Sequence, residues 1–523
     1  MENEPRQSGF VRSTAKVSAG TFSSRILGMV KMSVMSGLFG ATDANDAFVV
    51  AFKIPNLLRD MFAEGALSAA FIPVFTSKLK EFGQSDAMKT ANLVLNFLLV
   101  VVGLLVVVGI VITPLIVSGL APGFEDLPAK FDLTVLLGRV MMPFLLIISI
   151  AALFMGMLNS LGKFGTPAFA PMLLNLGIIG SGFLICPFVD PPILGIGIGV
   201  LIGGLGQCLI QLPQLIRGGF RFSFNFRFNN PDLKLILTLM APMVIGLAAT
   251  QFNVFIITNL ASRLADGAVS FLDYAYRLLH LPLGLFGVAI ATVALPNASR
   301  IAAEGDMNGL AEMYIKALRF GWFLVLPAQM ILLFGGEPIV ALLYQHAEFG
   351  ASDTIQTAAA LAYYSIGLVA FSSVRITVPI FYSMKETRIP VAVSVASVAV
   401  NIALCFILTG YLDFKGLSLA VACSGWLNFA LLLLVLSKRI PLFAARGHFR
   451  EFAGIVAASA LLAAYLIAAQ AVIPCDLQTG SKIGWLIYTS VFLAGGALVY
   501  IISAWIMRLP ELGSLLELFS KRK

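Results

Sequence analysis

Apolar runs of about twenty residues recur from one end of the chain to the other, and this limits its class before any single residue is considered. A helix of that length spans the roughly 30 Å hydrocarbon core of a bilayer. In that medium every backbone N–H and C=O must bond within the protein, which favours helices. Only 12% of the residues are charged, about half the share found in soluble domains. Fourteen apolar segments can be drawn, near 18–40, 44–78, 90–118, 133–160, 166–187, 192–216, 235–261, 268–300, 317–336, 354–384, 389–410, 416–437, 451–473 and 483–507. The expected fold is an all-α polytopic membrane protein with fourteen transmembrane helices. No segment is long and polar enough to form a separate soluble domain.

The basic residues give an orientation. With the N-terminus inside, 24 of the 35 Lys and Arg fall on inside segments, four (Lys130, Arg263, Lys415, Lys482) on outside loops, and seven within the apolar segments. Cytoplasmic loops carry such an excess, so both termini are expected to be cytoplasmic, as tails over 1–16 and 508–523. The first of these lacks the apolar core and cleavage site of a signal peptide. The net charge of +8 is then topological, and no nucleic-acid partner is expected.

The seven intramembrane cations are Arg25, Lys31, Lys53, Arg59, Arg139, Arg277 and Arg375. Facing lipid they would together cost on the order of 20 kcal/mol, more than a typical fold's margin of stability. They must therefore face polar surroundings inside the protein, and the scarcity of nearby acids implies an anionic cargo.

An internal repeat sets the domain plan. Ala70-Phe-Ile-Pro73 with Ser77 recurs as Ala294-Leu-Pro296 with Ser299, and Ser160-Leu-Gly-Lys163…Pro167 as Ser383-Met-Lys385…Pro390. Pro73 to Pro296, Ser160 to Ser383 and Pro167 to Pro390 are each 223 residues apart. A duplicated six-helix unit follows: lobes at 17–217 and 235–440, a cytoplasmic linker at 218–234, and an added helix pair at 451–507. Two lobes of like orientation would place the cargo site between them. The segment from Arg217 to Arg227, rich in Phe and Arg, reads as a linker lying on the membrane surface.

Within the first segment Ser24, Arg25, Gly28 and Lys31 crowd one helix face. Cavity binding competes there with snorkelling to the interface. The second segment carries Asp46 near its outer end, then Lys53, Pro55, Asn56, Arg59, Glu64 and Gly65. As one helix it would be about 52 Å long, and Pro55 should kink it, which suggests a gate. Glu64 would either release Arg59 to an incoming anion or hold it in a permanent ion pair. Arg277 would reach the cavity from the second lobe. Arg139 and Arg375 are weaker candidates, Arg139 lying close enough to a span end to be structural. Arginine's planar fork suits diphosphate oxygens.

Catalytic and metal chemistry find no constellation. The five cysteines show no metal or redox spacing, the three histidines are far apart, and no P-loop or nucleophile–base set occurs. No cofactor or metal is expected. Energy would come from an ion gradient or the membrane potential, worth about 2.3 kcal/mol per charge per 100 mV.

Several of these motifs resemble one family. Ser24-Arg25-Ile-Leu-Gly28, Asp46-Ala-Phe, Phe52-Lys53-Ile-Pro-Asn-Leu-Leu-Arg59, Phe62-Ala-Glu-Gly-Ala66 and Phe71-Ile-Pro73 are similar to the MurJ (MviN) lipid II flippases of bacteria, within the multidrug/oligosaccharidyl-lipid/polysaccharide exporter superfamily. Likeness continues through Ala121-Pro-Gly-Phe124, Pro167-Ala-Phe-Ala-Pro171, Tyr274-Ala-Tyr-Arg277, Pro282-Leu-Gly-Leu-Phe-Gly-Val288 and Phe381-Tyr-Ser383. The resemblance implies alternating access in the cytoplasmic membrane, a cationic cavity containing Arg25, Lys31, Arg59 and Arg277, and lipid II as cargo. It also implies a groove for the polyprenyl tail on the last two helices. A monomer among membrane lipids is expected. Two departures stand out: Lys31-Met32 replaces the family's usual Arg-Asp, and Tyr276 replaces an Asp before Arg277. Both remove an acid, so local salt bridges of relatives are expected to be missing. Asn401 and Cys405 offer little for sodium. Exporters of other polyprenyl-diphosphate glycans or of amphipathic drugs, and a non-transporting cell-wall scaffold, remain the alternatives.

Overall fold

The computed structural model describes residues 4–60, 66–442, 448–473, 475, 480–513 and 515. Among these, helix is the only regular structure. The α-helices are α1 (Glu4–Phe39), α2 (Asp43–Arg59), α3 (Ser68–Glu81), α4 (Gly83–Leu120), α5 (Pro128–Met141), α6 (Phe144–Ser160), α7 (Gly165–Leu184), α8 (Ile193–Arg217), α9 (Pro231–Ala261), α10 (Ala268–Pro282), α11 (Val288–Ala303), α12 (Met307–Phe334), α13 (Gly336–Tyr344), α14 (Ala351–Ser365), α15 (Leu368–Ser383), α16 (Arg388–Leu412), α17 (Phe414–Leu436), α18 (Phe449–Val472) and α19 (Lys482–Ile506).

Among the described residues, nine helices are long and apolar enough to cross a membrane, ten if the α14–α15 pair, bent by 42°, is one span. Three elements outside that set hold most of the cations: α1, the α2–α3 pair and the α10–α11 pair. The second segment is two helices rather than one kinked helix. α2 runs through Pro55 to Arg59, π-helical turns occupy Asp60 and Ala66–Leu67, and α3 starts at Ser68. Glu64 and Gly65, expected as gate residues, lie outside the described residues.

The 223-residue offset reappears in the helix boundaries. Moved by 223, α2 falls on 266–282, where α10 covers 268–282, and α5 and α6 fall on 351–364 and 367–383, where α14 and α15 lie. α7 falls on 388–407, at the start of α16, and α1 falls on 227–262, across α9. Even the break recurs: a π-helical turn at Leu283–Gly287 separates α10 from α11.

The chain forms two compact units, 1–269 and 270–523. α9, counterpart of α1 by the repeat, belongs to the first unit by packing. Asp232 at its start pairs with Lys78 of α3 at 3.1 Å and accepts from Thr90 of α4. In the first unit α7 and α8 meet glycine on glycine: a Cβ on Gly177 would lie 2.6 Å from the Gly203 backbone. Small residues let apolar helices approach this closely where no hydrophobic drive between them exists. In the second unit Phe323 of α12 packs with Ile455, Leu462, Phe492 and Tyr500 of α18 and α19.

Tyr500 has a further role. Pro327 inside α12 lacks the N–H that would bond the carbonyl four residues earlier, and that carbonyl, Phe323 O, accepts from the buried Tyr500 hydroxyl at 2.7 Å. Tyr500→Phe is expected to lower stability by about 1–3 kcal/mol, seen as a lower thermal midpoint in detergent. In a Pro327→Ala background the restored N–H can bond that carbonyl, so the same substitution should have a clearly smaller effect.

Candidate functional site

In the first unit, α1 brings Ser24, Arg25, Gly28 and Lys31 to half-buried positions. Asn175 of α7 donates to the Ser24 carbonyl at 3.2 Å, and a Cβ on Gly28 would sit 4.0 Å from the same amide. Gly28 therefore leaves open space one turn from Arg25. Arg25 makes no hydrogen bond or ion pair with the other described residues.

α2 faces α9 through two polar rungs. Lys53 Nζ donates to Thr258 Oγ1 at 3.0 Å, and Gln251 Nε2 donates to Asp60 Oδ2 at 3.4 Å. The rungs are seven residues apart on each strand of the pair and run in opposite directions, as an antiparallel helix contact requires. Asp60 also accepts from Arg59 through Nη2 at 2.9 Å and Nε at 3.2 Å. Arg59 is thus paired with its neighbour, on side chains 22% and 41% exposed. Asn56 lies between the rungs with its Oδ1 buried and unbonded among the described residues.

Asp46 is not free to gate by itself. It sits in an ionic knot around Lys130 Nζ: Asp43 at 2.7 Å, Asp46 at 2.9 Å and Asp266 at 3.8 Å. The Gly267 N–H donates to Asp46 at 3.1 Å, and the Phe124 ring lies 4.5 Å from the ammonium. Lys130, expected in an outside loop, is buried at the first turn of α5. Arg139 is exposed, and its Nε donates to Ile110 O at 3.3 Å. That carbonyl is the one Pro114 of α4 leaves without its helical donor, which gives Arg139 a structural task.

In the second unit Arg277 pairs with Asp273 at 2.7 Å, one turn back on α10. Tyr276 offers no acid to Arg277, and the ion pair that Arg277 makes is with Asp273. Tyr276 is exposed on the same helix, its ring 4.1 Å from that of His280. Arg375 on α15 is exposed. Tyr274 and Tyr344 are fully buried with rings 5.0 Å apart. Asn401 and Cys405 are buried one turn apart on α16.

A separate network ties the C-terminal helices to α12. Arg319 forms an ion pair with Glu511, lies 3.6 Å from Glu451, and bonds His448 Nδ1 at 2.8 Å. The partners missed in sequence were Asp60, Lys130, Gln251, Thr258 and Asp273 as counter-ion. Only the last had a local signal, the i, i+4 spacing to Arg277.

These clusters sit in a multi-pass membrane transporter, not an enzyme. A family model described as lipid II flippase MurJ matches residues 35–486. A probable lipid II flippase MurJ of Rhizobium meliloti (strain 1021) is 36% identical over 88% of this chain and 86% of its own length. The lipid II flippase MurJ of Burkholderia cenocepacia is 33% identical over 86% and 88%. A solved lipid II flippase MurJ in an inward closed conformation shares 27% identity and a TM-score of 0.77, covering 94% of this chain and 98% of that one. An inward-facing MATE family transporter of the MOP superfamily, at 15% identity and a TM-score of 0.68, covers 81% and 96% and shares the fold alone. The chain belongs to the MurJ lipid II flippase family.

The Lys130 knot can be tested apart from transport. Lys130→Met leaves the buried Asp46 carboxylate without its cation and should cost about 3–5 kcal/mol, read as a large drop in thermal midpoint. Asp46→Asn added to it should recover part of the loss. Asp266→Asn, at the exposed rim of the knot, should change stability by less than about 1 kcal/mol.

Proposed function

We propose that the chain flips lipid II from the inner to the outer leaflet of the bacterial cytoplasmic membrane, taking its place in peptidoglycan synthesis. It does so by alternating access, as a monomer with both termini cytoplasmic and with all fourteen apolar segments spanning the bilayer. The observation that carries this reading is that in a MurJ-family chain the candidate cations Arg25, Lys31, Lys53, Arg59 and Arg277 are held on the elements most broken or polar, α1, α2 and α10.

The diphosphate would be taken by Arg59 and Arg277 through bidentate bonds, with Arg25, Lys31 and Lys53 adding charge at other heights. Asp60 is 41% and Asp273 13% exposed, beside arginines that are 22% and 40% exposed, so each aspartate would act as a resident counter-ion from which an incoming phosphate takes the guanidinium. Ser24, Asn56 and Arg375 would line the same path. The break after Arg59 makes α2–α3 the moving element, with Asp46, Pro55, Glu64 and Gly65 as its gating residues, Asp46 acting through the Lys130 knot. The two six-helix lobes, 17–217 and 235–440, would provide the alternating halves, and the helix pair 451–507 the groove for the lipid tail.

The test is complementation in a bacterium depleted of its own lipid II flippase, with membrane expression measured for each variant. Wild type should rescue. Arg25→Ala, Arg59→Ala and Arg277→Ala should each fail, since losing a charge-assisted bond of about 1.5–3 kcal/mol slows transport ten- to a hundred-fold. Arg139→Ala should still rescue. Failure of a well-expressed wild type would point to another cargo, and rescue by the three arginine variants would remove the anion-cavity mechanism.

A further inference from the structure

The segment between α8 and α9 is a stretched strap with a strict two-residue pattern. Phe220, Phe222, Phe224, Phe226 and Phe228 alternate with Arg221, Ser223, Asn225 and Arg227. An extended backbone sends alternate side chains to opposite faces, and Phe222, Phe224, Phe226 and Phe228 form one line of touching rings, with a tight turn where Phe228 N donates to Phe226 O. The ring contacts follow that geometry: Phe222 and Phe224 are 4.9 Å apart, Phe224 and Phe226 6.1 Å, Phe226 and Phe228 6.1 Å.

Both ends of the strap are fixed. Phe220 is buried and meets Phe154 of α6, and Phe228 meets Phe97 of α4. Asn92 and Asn96 of α4 hold its backbone, through bonds from their side-chain amides to Arg221 O and to Ser223 O at 2.8 Å, and from Ser223 N to Asn92 Oδ1 at 3.1 Å. The middle is left over. Phe222, Phe224 and Phe226 are 45%, 76% and 58% exposed, and Arg217, Arg221 and Arg227 are exposed too. The next acid along the chain, Asp232, is already engaged by Lys78 and Thr90.

Three exposed rings in mutual contact, fixed between the ends of two apolar helices, are suited to interfacial depth, where aromatic side chains partition into the boundary of the acyl chains. The neighbouring arginines would then stand at the height of the headgroups. We propose that residues 217–228 are a binding strap for anionic phospholipids: the three phenylalanines enter the leaflet and Arg217, Arg221 and Arg227 take the phosphodiester charge. Its site is independent of the cargo cations. Each basic residue at an anionic surface adds up to about five-fold in partitioning, so removing two should lower the preference at least three-fold.

The experiment uses the full chain in nanodiscs of equal phosphatidylglycerol and phosphatidylcholine, followed by gentle extraction and native mass spectrometry of retained lipid. Wild type should retain phosphatidylglycerol in several-fold excess. Arg221→Gln/Arg227→Gln should reduce that excess at least three-fold with phosphatidylcholine unchanged, and Arg221→Lys/Arg227→Lys should keep most of it. Phe224→Ser should reduce both lipids. Added millimolar inorganic phosphate should displace neither. Unchanged phosphatidylglycerol retention in the double glutamine variant would overturn the proposal. So would an equal fall in both lipids in that variant, or displacement by phosphate, which would mark a simple anion site.

Discussion

In an apolar surround, a charge or an orphaned carbonyl has to find its partner within the protein, and much of this architecture follows from how that is met. Prolines inside α4 and α12 each leave one carbonyl without its helical donor. In both places a side chain from another helix fills the gap: Arg139 on Ile110 O and Tyr500 on Phe323 O. The same requirement places Lys130 beneath three aspartates and Arg319 between Glu451 and Glu511. Each arrangement links helices distant in sequence. Polar satisfaction therefore acts here as a packing constraint of its own, in a medium where hydrophobic burial distinguishes poorly between alternatives.

Much of the plan was legible because it rests on periodicities that outlast local detail. Each of the fourteen apolar segments coincides with a helix or a broken pair of helices. The 223-residue offset, first drawn from short matches such as Ser160 with Ser383, carries helix ends onto helix ends and the break after Arg59 onto the π-helical turn at Leu283–Gly287. What the sequence could not give was the partner of each charge. Asp60 carried no pattern that marked it as a partner of Arg59, and Lys130 followed a Leu-Pro pair that reads as loop. Lys130 is buried because Asp43 and Asp46 converge on it from another helix, and no one-dimensional pattern carries that convergence. Packing was equally hidden for α9. By repeat it opens the second half, but Asp232, Asn259 and Thr258 bind it to α3, α4 and α2.

Burial separates the charges into two kinds. Lys130 and Asp46 are 4% and 2% exposed at the side chain, and breaking such a pair strands a charge away from water. Arg59 with Asp60, and Arg277 with Asp273, are far more open. Where the carboxylate is open, as at Asp60, such a pair contributes only about 0–1 kcal/mol, so exchanging it for another anion would meet little resistance. A diphosphate can offer each guanidinium a two-pronged bond at full charge, which an aspartate on the same or the next turn can match in sign but exceeds in neither charge nor reach. The buried pair is suited to holding α2 against α5, and the open pairs are suited to trading partners. Under the proposed mechanism that division, set by exposure rather than by residue type, would let one helix carry both a fixed anchor at Asp46 and a replaceable contact at Arg59, thirteen residues and about 20 Å apart along its axis.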